Sequence, residues 1–170
     1  MIKYSLLCLR NKDPKKILAT IIRDTEGLSW NHVEILRHDT ETGEKISYGA
    51  VSPKSRKIPL AELLKNYDIE FEIPLDVKED SRICDLKLET LLGKLYSKFE
   101  VFLIWLSMIF KCGLNWLPYV KLNLIAELIC TELVGEFFID CCHIDLKKSQ
   151  EMLSLTDVWS IVIANRPNIL

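Results

Sequence analysis

Cys130 stands at the predicted start of an amphipathic helix, a position that can activate a thiol. From Ile129 onward the apolar residues recur at the three- and four-residue spacing that lays one side of a helix against a core: Leu133, Val134, Phe137, Phe138 and Cys141. A cysteine in the first helical turn faces unpaired backbone N–H groups and the positive end of the helix dipole, which favour the thiolate. Cys130 is therefore a candidate nucleophile; the alternative is a small residue of the core.

The chain has three histidines that could serve such a thiol as a base. His143 follows the pair Cys141–Cys142, and Cys-Cys-His invites a zinc interpretation. Structural zinc sites, however, use four ligands with CxxC and HxxxH spacing, which the sequence lacks. We therefore predict no metal site and no cofactor. His38 lies among charged residues beside a predicted hairpin loop, which indicates a solvated side chain.

His32 differs from the other two histidines because it lies inside an apolar strand, next to Val33 and Ile35. The alternation of side chains along a strand puts His32 on the same face as Glu34. A carboxylate beside a histidine can hold the imidazole in one tautomer while its other nitrogen accepts a proton from a thiol. The alternative is a half-buried histidine whose hydrogen bonds are satisfied structurally.

The elements that must position these side chains divide the chain into a strand-rich first half and a helix-rich second half. Strands are predicted at residues 1–10, 29–37, 45–51, 56–59 and 69–75. Residues 39–44 have the composition of a hairpin loop, residues 53–55 of a second loop, and residues 60–66 of a short helix. Residues 17–22 fit either a strand or one helical turn.

In the second half, the sequence predicts helices at residues 84–99, from residue 129 onward and at residues 149–155, with a final buried strand at residues 158–163. The most apolar segment is 101–110. It is about half as long as the roughly 20 residues that span a bilayer, so we predict a buried helix and no membrane span. An exposed apolar lip that binds an acyl chain or a protein partner is the alternative.

Composition favours one globular domain over residues 1–170, since the chain is 49% hydrophobic and 27% charged. A net charge of −2 and the absence of a Lys/Arg block argue against a nucleic-acid partner. Six irregularly spaced cysteines with no signal peptide before them indicate reduced thiols, and hence a cytoplasmic protein.

Two motifs resemble those of the circularly permuted papain-like amidohydrolases, relatives of the NlpC-type cell-wall peptidases of bacteria and their phages. Residues 29–35, Ser-Trp-Asn-His-Val-Glu-Ile, resemble the family's Ser-His-Val-(Gly or Glu)-apolar strand. Residues 129–134, Ile-Cys-Thr-Glu-Leu-Val, resemble its Cys-Ser-Glu-Leu-Val helix start. The histidine precedes the cysteine, which is the permuted order. Softer similarity at residues 48–60, 92–96 and 155–157 extends the resemblance over most of the chain.

The resemblance implies an α+β, permuted papain-like fold in which an antiparallel sheet packs against a central helix that starts near the cysteine. It implies that Cys130 is the nucleophile and His32 the general base. The reaction would be attack of the thiolate on an amide, peptide, ester or thioester carbonyl, followed by hydrolysis of the acyl-enzyme. The substrate itself cannot be named from the sequence, because enzymes of one fold act on different bonds.

The third catalytic residue departs from the family pattern. Many members carry a polar residue, often Glu, on the strand after the histidine, but residues 46–50 read Ile-Ser-Tyr-Gly-Ala. Either Glu34 or Ser47 then orients the imidazole, or Cys130 and His32 act as a dyad.

A second departure is that Trp30 and Asn31 separate Ser29 from His32, where the family has Ser-His. An inserted residue at this point is expected to shift the local strand register. Glu132 matches the family motif, but two positions along a helix from Cys130 it points elsewhere, so we predict a structural role.

Two alternatives to an enzyme come from other classes of protein. The first is a catalytically silent domain of the same fold that binds lipid or a protein through residues 101–110. The second is a structural or accessory protein of a phage particle, in which case the chain would lie in the host cytoplasm or in the virion.

Overall fold

The computed structural model of the chain describes residues 1–13, 20, 23–24, 26–96, 127–146 and 153–165. Within these residues the fold is mixed α+β, as predicted, with an antiparallel sheet and several helices. The strands are β1 Ile2–Asn11, β2 His32–Asp39, β3 Lys45–Val51, β4 Lys54–Pro59, β5 Tyr67–Pro74, β6 Leu95–Tyr96 and β7 Glu127–Leu128. The helices are α1 Leu60–Leu63, α2 Ser81–Thr90, α3 Cys130–Cys142 and α4 Leu155–Ala164.

The strands form one sheet in the order β5-β1-β2-β3-β4-β6-β7. The five longer strands, β1 to β5, pair antiparallel, and the two-residue strands β6 and β7 pair parallel at one edge. Hairpins join β2 to β3 and β3 to β4, so neighbouring strands of the site region are also neighbours in sequence. This arrangement fixes the cross-strand positions of residues on β2, β3 and β4.

The register between β1 and β2 is continuous, from Ile2 opposite Asp39 to Leu9 opposite His32. Trp30 and Asn31 therefore lie ahead of β2, and β2 itself pairs with β1 without an irregularity, while the register shift relative to the family pattern stays a prediction. Asn31 is held there because its backbone N–H donates to the Leu9 carbonyl oxygen at 3.0 Å. The irregularity of β1 is on its other side, between Cys8 and Leu9, where it pairs with β5.

The two faces of the sheet carry separate apolar clusters, because side chains alternate along each strand. Val33 and Ile35 belong to the larger core, to which α3 contributes Leu133, Val134, Phe137 and Phe138. His32, Glu34 and Leu36 alternate with them along β2. Leu36 joins the smaller cluster on the opposite side, whose buried members are Leu7, Leu9, Leu36, Leu63 and Tyr67.

The predicted strand at residues 158–163 is wrong, since these residues belong to α4. A short apolar run fits a buried strand or a helix equally well. Here a cap at the N-terminal end starts a helix. The Ser154 hydroxyl accepts a hydrogen bond from the Asp157 N–H at 3.1 Å, and the Asp157 carboxylate accepts from the Ser154 N–H at 2.8 Å. The buried residues Leu155, Val158 and Val162 then follow helical spacing.

The predicted helix at residues 84–99 is wrong at both ends. It starts at Ser81, because the Asp80 carboxylate caps the N–H of Arg82 at 2.8 Å. It ends at Thr90, and Gly93 follows in a left-handed conformation with φ 77° that a helix cannot continue through. The chain then enters β6, which pairs with β4.

Smaller corrections concern two other elements. The loop predicted at residues 53–55 is wrong in part, because β4 already begins at Lys54. The helix predicted at residues 60–66 ends at Leu63. Residues 153–154, in the predicted helix 149–155, are not helical.

Several predicted segments lie outside the described residues: 101–110, 149–152, and 17–22 apart from residue 20. The buried helix and the apolar lip proposed for 101–110 therefore stay predictions. In the part of the chain that is described, no helix is long and apolar enough to cross a membrane.

We predict that Phe137→Ala lowers the free energy of unfolding by about 3–5 kcal/mol. Phe137 is fully buried in α3, and its ring lies 5.3 Å from that of Tyr4 between centroids, so truncation leaves a cavity between helix and sheet. Urea denaturation measures the change. Ile139→Ala on the same helix is the control, because Ile139 is 40% exposed and its truncation is expected to cost within about 0.5 kcal/mol. Equal losses in the two variants would contradict the assigned packing face of α3.

Candidate active site

Cys130 is the first residue of α3, so it occupies the helix start that the sequence predicts. Ile129 before it is extended, with φ −106° and ψ 166°. The Glu132 carboxylate accepts a hydrogen bond from the Ile129 N–H at 3.3 Å, which is the structural role predicted for Glu132. The thiol therefore lies at the positive end of the helix dipole, among N–H groups that the helix itself does not pair.

His32 is the first residue of β2, and its imidazole is held by Glu34 two residues further along the same strand. The His32 Nε2 and Glu34 Oε1 atoms are 3.0 Å apart. His32 is 6% exposed and Glu34 only 1%, so water competes little with this contact. The two side chains, predicted to share one face of the strand, are thus buried and in direct contact.

The Cys130 thiol lies close enough to the His32 side chain for its charge and hydrogen bonding to act on the imidazole. Burial opposes protonation of the imidazole, but attraction to Cys130, hydrogen bonds to Cys130 and Glu34, and the nearby Tyr67 outweigh it, and they raise the pKa of His32 well above its ordinary value. The site therefore favours the imidazolium, the form that pairs with a thiolate.

Glu34 and Ser47, the two alternatives for the third position, lie in contact with each other. The Ser47 hydroxyl donates to Glu34 Oε2 at 2.6 Å, while Glu34 Oε1 faces His32. Burial raises the pKa of Glu34, but the contacts with His32, Ser47 and the Arg56 guanidinium outweigh it and leave that pKa below its ordinary value. Glu34 thus contacts the imidazole directly, and the Ser47 hydroxyl reaches only the other oxygen of that carboxylate.

Two further residues at the site were not found from the sequence. Arg56 on β4 places its Nη2 atom 3.9 Å from Glu34 Oε1, where its charge offsets that of the buried carboxylate. Tyr67, the first residue of β5, lies with its ring centroid 5.3 Å from that of His32. Neither stands in a motif, and only the sheet pairing brings them to the site.

The Cys-Cys-His sequence at the end of α3 packs into the protein core and contacts an acidic side chain. Cys141 and Cys142 are buried, and burial raises the pKa of both thiols, that of Cys142 to about 12. His143 follows the helix in a left-handed conformation, and its Nε2 lies 2.6 Å from Glu79 Oε1. Over the described ranges, no group of three or more His, Cys, Asp or Glu residues is arranged to hold a metal ion.

The third histidine is His38, for which the sequence predicts a solvated side chain. It lies near the end of β2 opposite His32, where the strand is partly exposed. It lines an open surface depression together with residues of β1, β5 and the segment that precedes α2. The structure therefore brings His32, Glu34, Ser47 and Cys130 together and leaves His38 and His143 apart from them.

The arrangement defines a class of site: a thiol at a helix start, an imidazole beside it, and a buried carboxylate in contact with Nε2 of that imidazole. Chemically, it can activate a thiol for nucleophilic attack. Neither a scan against protein-family models nor a search of curated proteins gives a match for this chain.

We predict that Glu34→Gln lowers the pKa of His32 toward its ordinary value. Glutamine keeps a polar partner on Nε2 but removes the negative charge that stabilises the imidazolium. An NMR titration of the imidazole resonances measures the shift.

Glu44→Gln is the matched control, because Glu44 is on the surface beside Arg37 and not at the site. A His32 titration that is the same in wild type, Glu34→Gln and Glu44→Gln would show that the Glu34 charge does not act on the imidazole.

Proposed function

We propose that this protein is a cysteine hydrolase that cleaves an amide, peptide, ester or thioester bond, with Cys130 as nucleophile, His32 as general base and Glu34 as the residue that orients His32. The observation that carries the proposal is the chain of contacts from the Cys130 thiol through the His32 ring to Glu34 Oε1, in a site where His32 and Glu34 are buried. An imidazole that takes a proton from a thiol must lie within reach of it, and a third group can orient that imidazole.

In the first half of the proposed reaction, the thiol proton has passed to His32, which is then an imidazolium, and the Cys130 sulfur attacks the substrate carbonyl carbon. The π electrons of the carbonyl move to oxygen, which becomes an oxyanion. The backbone N–H of Cys130, at the helix start, is the natural donor to that oxyanion. Collapse of the intermediate breaks the bond to the leaving group, which takes the proton from His32, and leaves an acyl group on the sulfur.

In the second half, water replaces the leaving group. His32, now neutral, accepts a proton as the water oxygen attacks the acyl carbon. The sulfur departs, takes the proton back and regenerates the free thiol while the carboxylic acid is released. Glu34 keeps its negative charge throughout and stabilises the imidazolium each time it forms.

We propose the permuted papain-like fold for the whole chain on three grounds. The histidine precedes the cysteine in sequence. The histidine lies on an antiparallel sheet, and the helix that begins at the cysteine packs on β2 and β3 of that sheet. The carboxylate, in contrast, comes from the histidine's own strand and not from the following one, which distinguishes this chain from many members of the family it resembles.

The second candidate function is a catalytically silent binding domain of the same fold. The observation in its favour is the low exposure of Cys130, 8%, which leaves a narrow approach to the sulfur. The reactivity of the thiol separates the two candidates, because a silent domain does not require an activated cysteine.

We predict that iodoacetamide, a small electrophile, labels Cys130 faster than Cys142. The two cysteines stand on the same helix and are similarly exposed, 8% and 6%, but Cys130 interacts with His32, whereas burial raises the pKa of Cys142 to about 12. The His32→Ala variant is expected to slow labelling of Cys130 about tenfold or more, because the thiol loses its proton acceptor. Mass spectrometry of proteolytic peptides assigns the adduct to each residue.

The matched controls are Cys130→Ala, which should abolish the fast labelling, and Cys142→Ala, which should retain it. Labelling of the Cys130 peptide that is no faster than that of the Cys142 peptide, or that does not depend on His32, would sink the proposed dyad and leave the silent domain as the better account.

A further inference from the structure

Gly49 on β3 lies directly beside Glu34 on β2. The register that pairs Ile35 with Tyr48 brings the next residues, Glu34 and Gly49, side by side. A Cβ atom built on Gly49 would lie 2.3 Å from Cδ, 2.4 Å from Oε1 and 2.5 Å from Cγ of Glu34. These distances are far inside van der Waals contact, so any other residue at position 49 displaces the Glu34 side chain.

The backbone at position 49 does not itself require glycine. Gly27, Gly43 and Gly93 have positive φ angles, which other residues rarely adopt, but Gly49 has no such angle and forms part of a regular strand. Glycine inside a strand weakens it unless another group must approach the backbone closely. The three atoms nearest to the missing Cβ all belong to Glu34, so that carboxylate is the group that needs the space.

The Glu34 carboxylate lies in a slot formed by Gly49, Ser47 and His32. Gly49 leaves the space, and the other two residues contact the carboxylate oxygens. Ser47, two residues before Gly49 on the same face of β3, donates to Oε2 at 2.6 Å. His32 lies 3.0 Å from Oε1. With Glu34 only 1% exposed, the carboxylate has no solvated position to which it can retreat without breaking these contacts.

We propose that Gly49 is a positioning residue of the site: by lacking a side chain it lets the Glu34 carboxylate lie against β3, at the place where Oε1 meets His32 Nε2. The strand after the histidine thus contributes the slot and the Ser47 hydroxyl, while the carboxylate comes from the histidine's own strand. The proposal rests on the role of Glu34 in the proposed function, but the slot can be tested without any hydrolysis.

The test is a double-mutant cycle of Gly49→Ala and Glu34→Ala, read in two ways. NMR titration gives the pKa of His32, and iodoacetamide labelling gives the reactivity of Cys130. In the wild-type background, Gly49→Ala is expected to lower the pKa of His32 and to slow labelling about tenfold, as Glu34→Ala does. In the Glu34→Ala background, Gly49→Ala is expected to change the labelling rate, and the proton affinity of His32, by no more than about twofold. The reason is that the Glu34 carboxylate, which the added methyl group would displace, is absent there.

The cycle decides the proposal even if Gly49→Ala does not fold. In that case the proposal requires that the double variant folds with a thermal midpoint equal to that of Glu34→Ala. A double variant that is unfolded, or further perturbed than Glu34→Ala in the His32 titration, would overturn it, as would a Gly49→Ala protein with a wild-type titration.

Failure of the proposed function gives a different result. If Cys130 shows no fast labelling in the wild-type protein, the hydrolase is contradicted, while the coupling between Gly49 and Glu34 in the His32 titration still supports or overturns the slot.

Discussion

The site depends on a carboxylate that is buried in its charged form. A buried charge is costly unless it is paired and hydrogen-bonded, and Glu34 meets this requirement through contacts on three strands. His32 lies on β2 with Glu34, Ser47 reaches it from β3, and Arg56 from β4. The antiparallel order of these strands is therefore a condition of the site, because a slip of one residue would turn Ser47 and Arg56 to the other face.

The helix contributes the thiol through a separate set of interactions. Phe137 and its apolar neighbours anchor α3 to the face of the sheet that carries Val33 and Ile35, and Cys130 is counted with that core. His32 is the first residue of β2 and Cys130 the first residue of α3, and the two side chains interact where these elements begin. The register of the sheet thus fixes the positions of the Glu34 carboxylate and the His32 imidazole, while the packing of α3 fixes the position of the Cys130 sulfur.

What could be predicted from the sequence was mostly local. The shared face of His32 and Glu34 follows from alternation within one strand, and the helix start at Cys130 follows from apolar spacing. Contacts between distant segments, such as that of Tyr67 with His32, leave no local pattern. Apolar spacing over the six residues 158–163 is ambiguous between strand and helix, and the cap at Ser154 resolves it as a helix. The sequence of β3 shows at Gly49 only the absence of a carboxylate, because the closeness of Gly49 to Glu34 depends on the pairing of β3 with β2.

The central claim is that the Cys130 sulfur becomes covalently acylated during turnover, and mass spectrometry of the intact protein mixed rapidly with p-nitrophenyl acetate tests it most directly. We expect a burst of p-nitrophenol equal to the amount of protein, with an acetyl group on Cys130 that is formed and then hydrolysed. The Cys130→Ala variant is expected to show neither the burst nor the Cys130 adduct. An acetyl group on another residue, a burst that persists in Cys130→Ala, or no acylation of the wild-type protein would contradict the account.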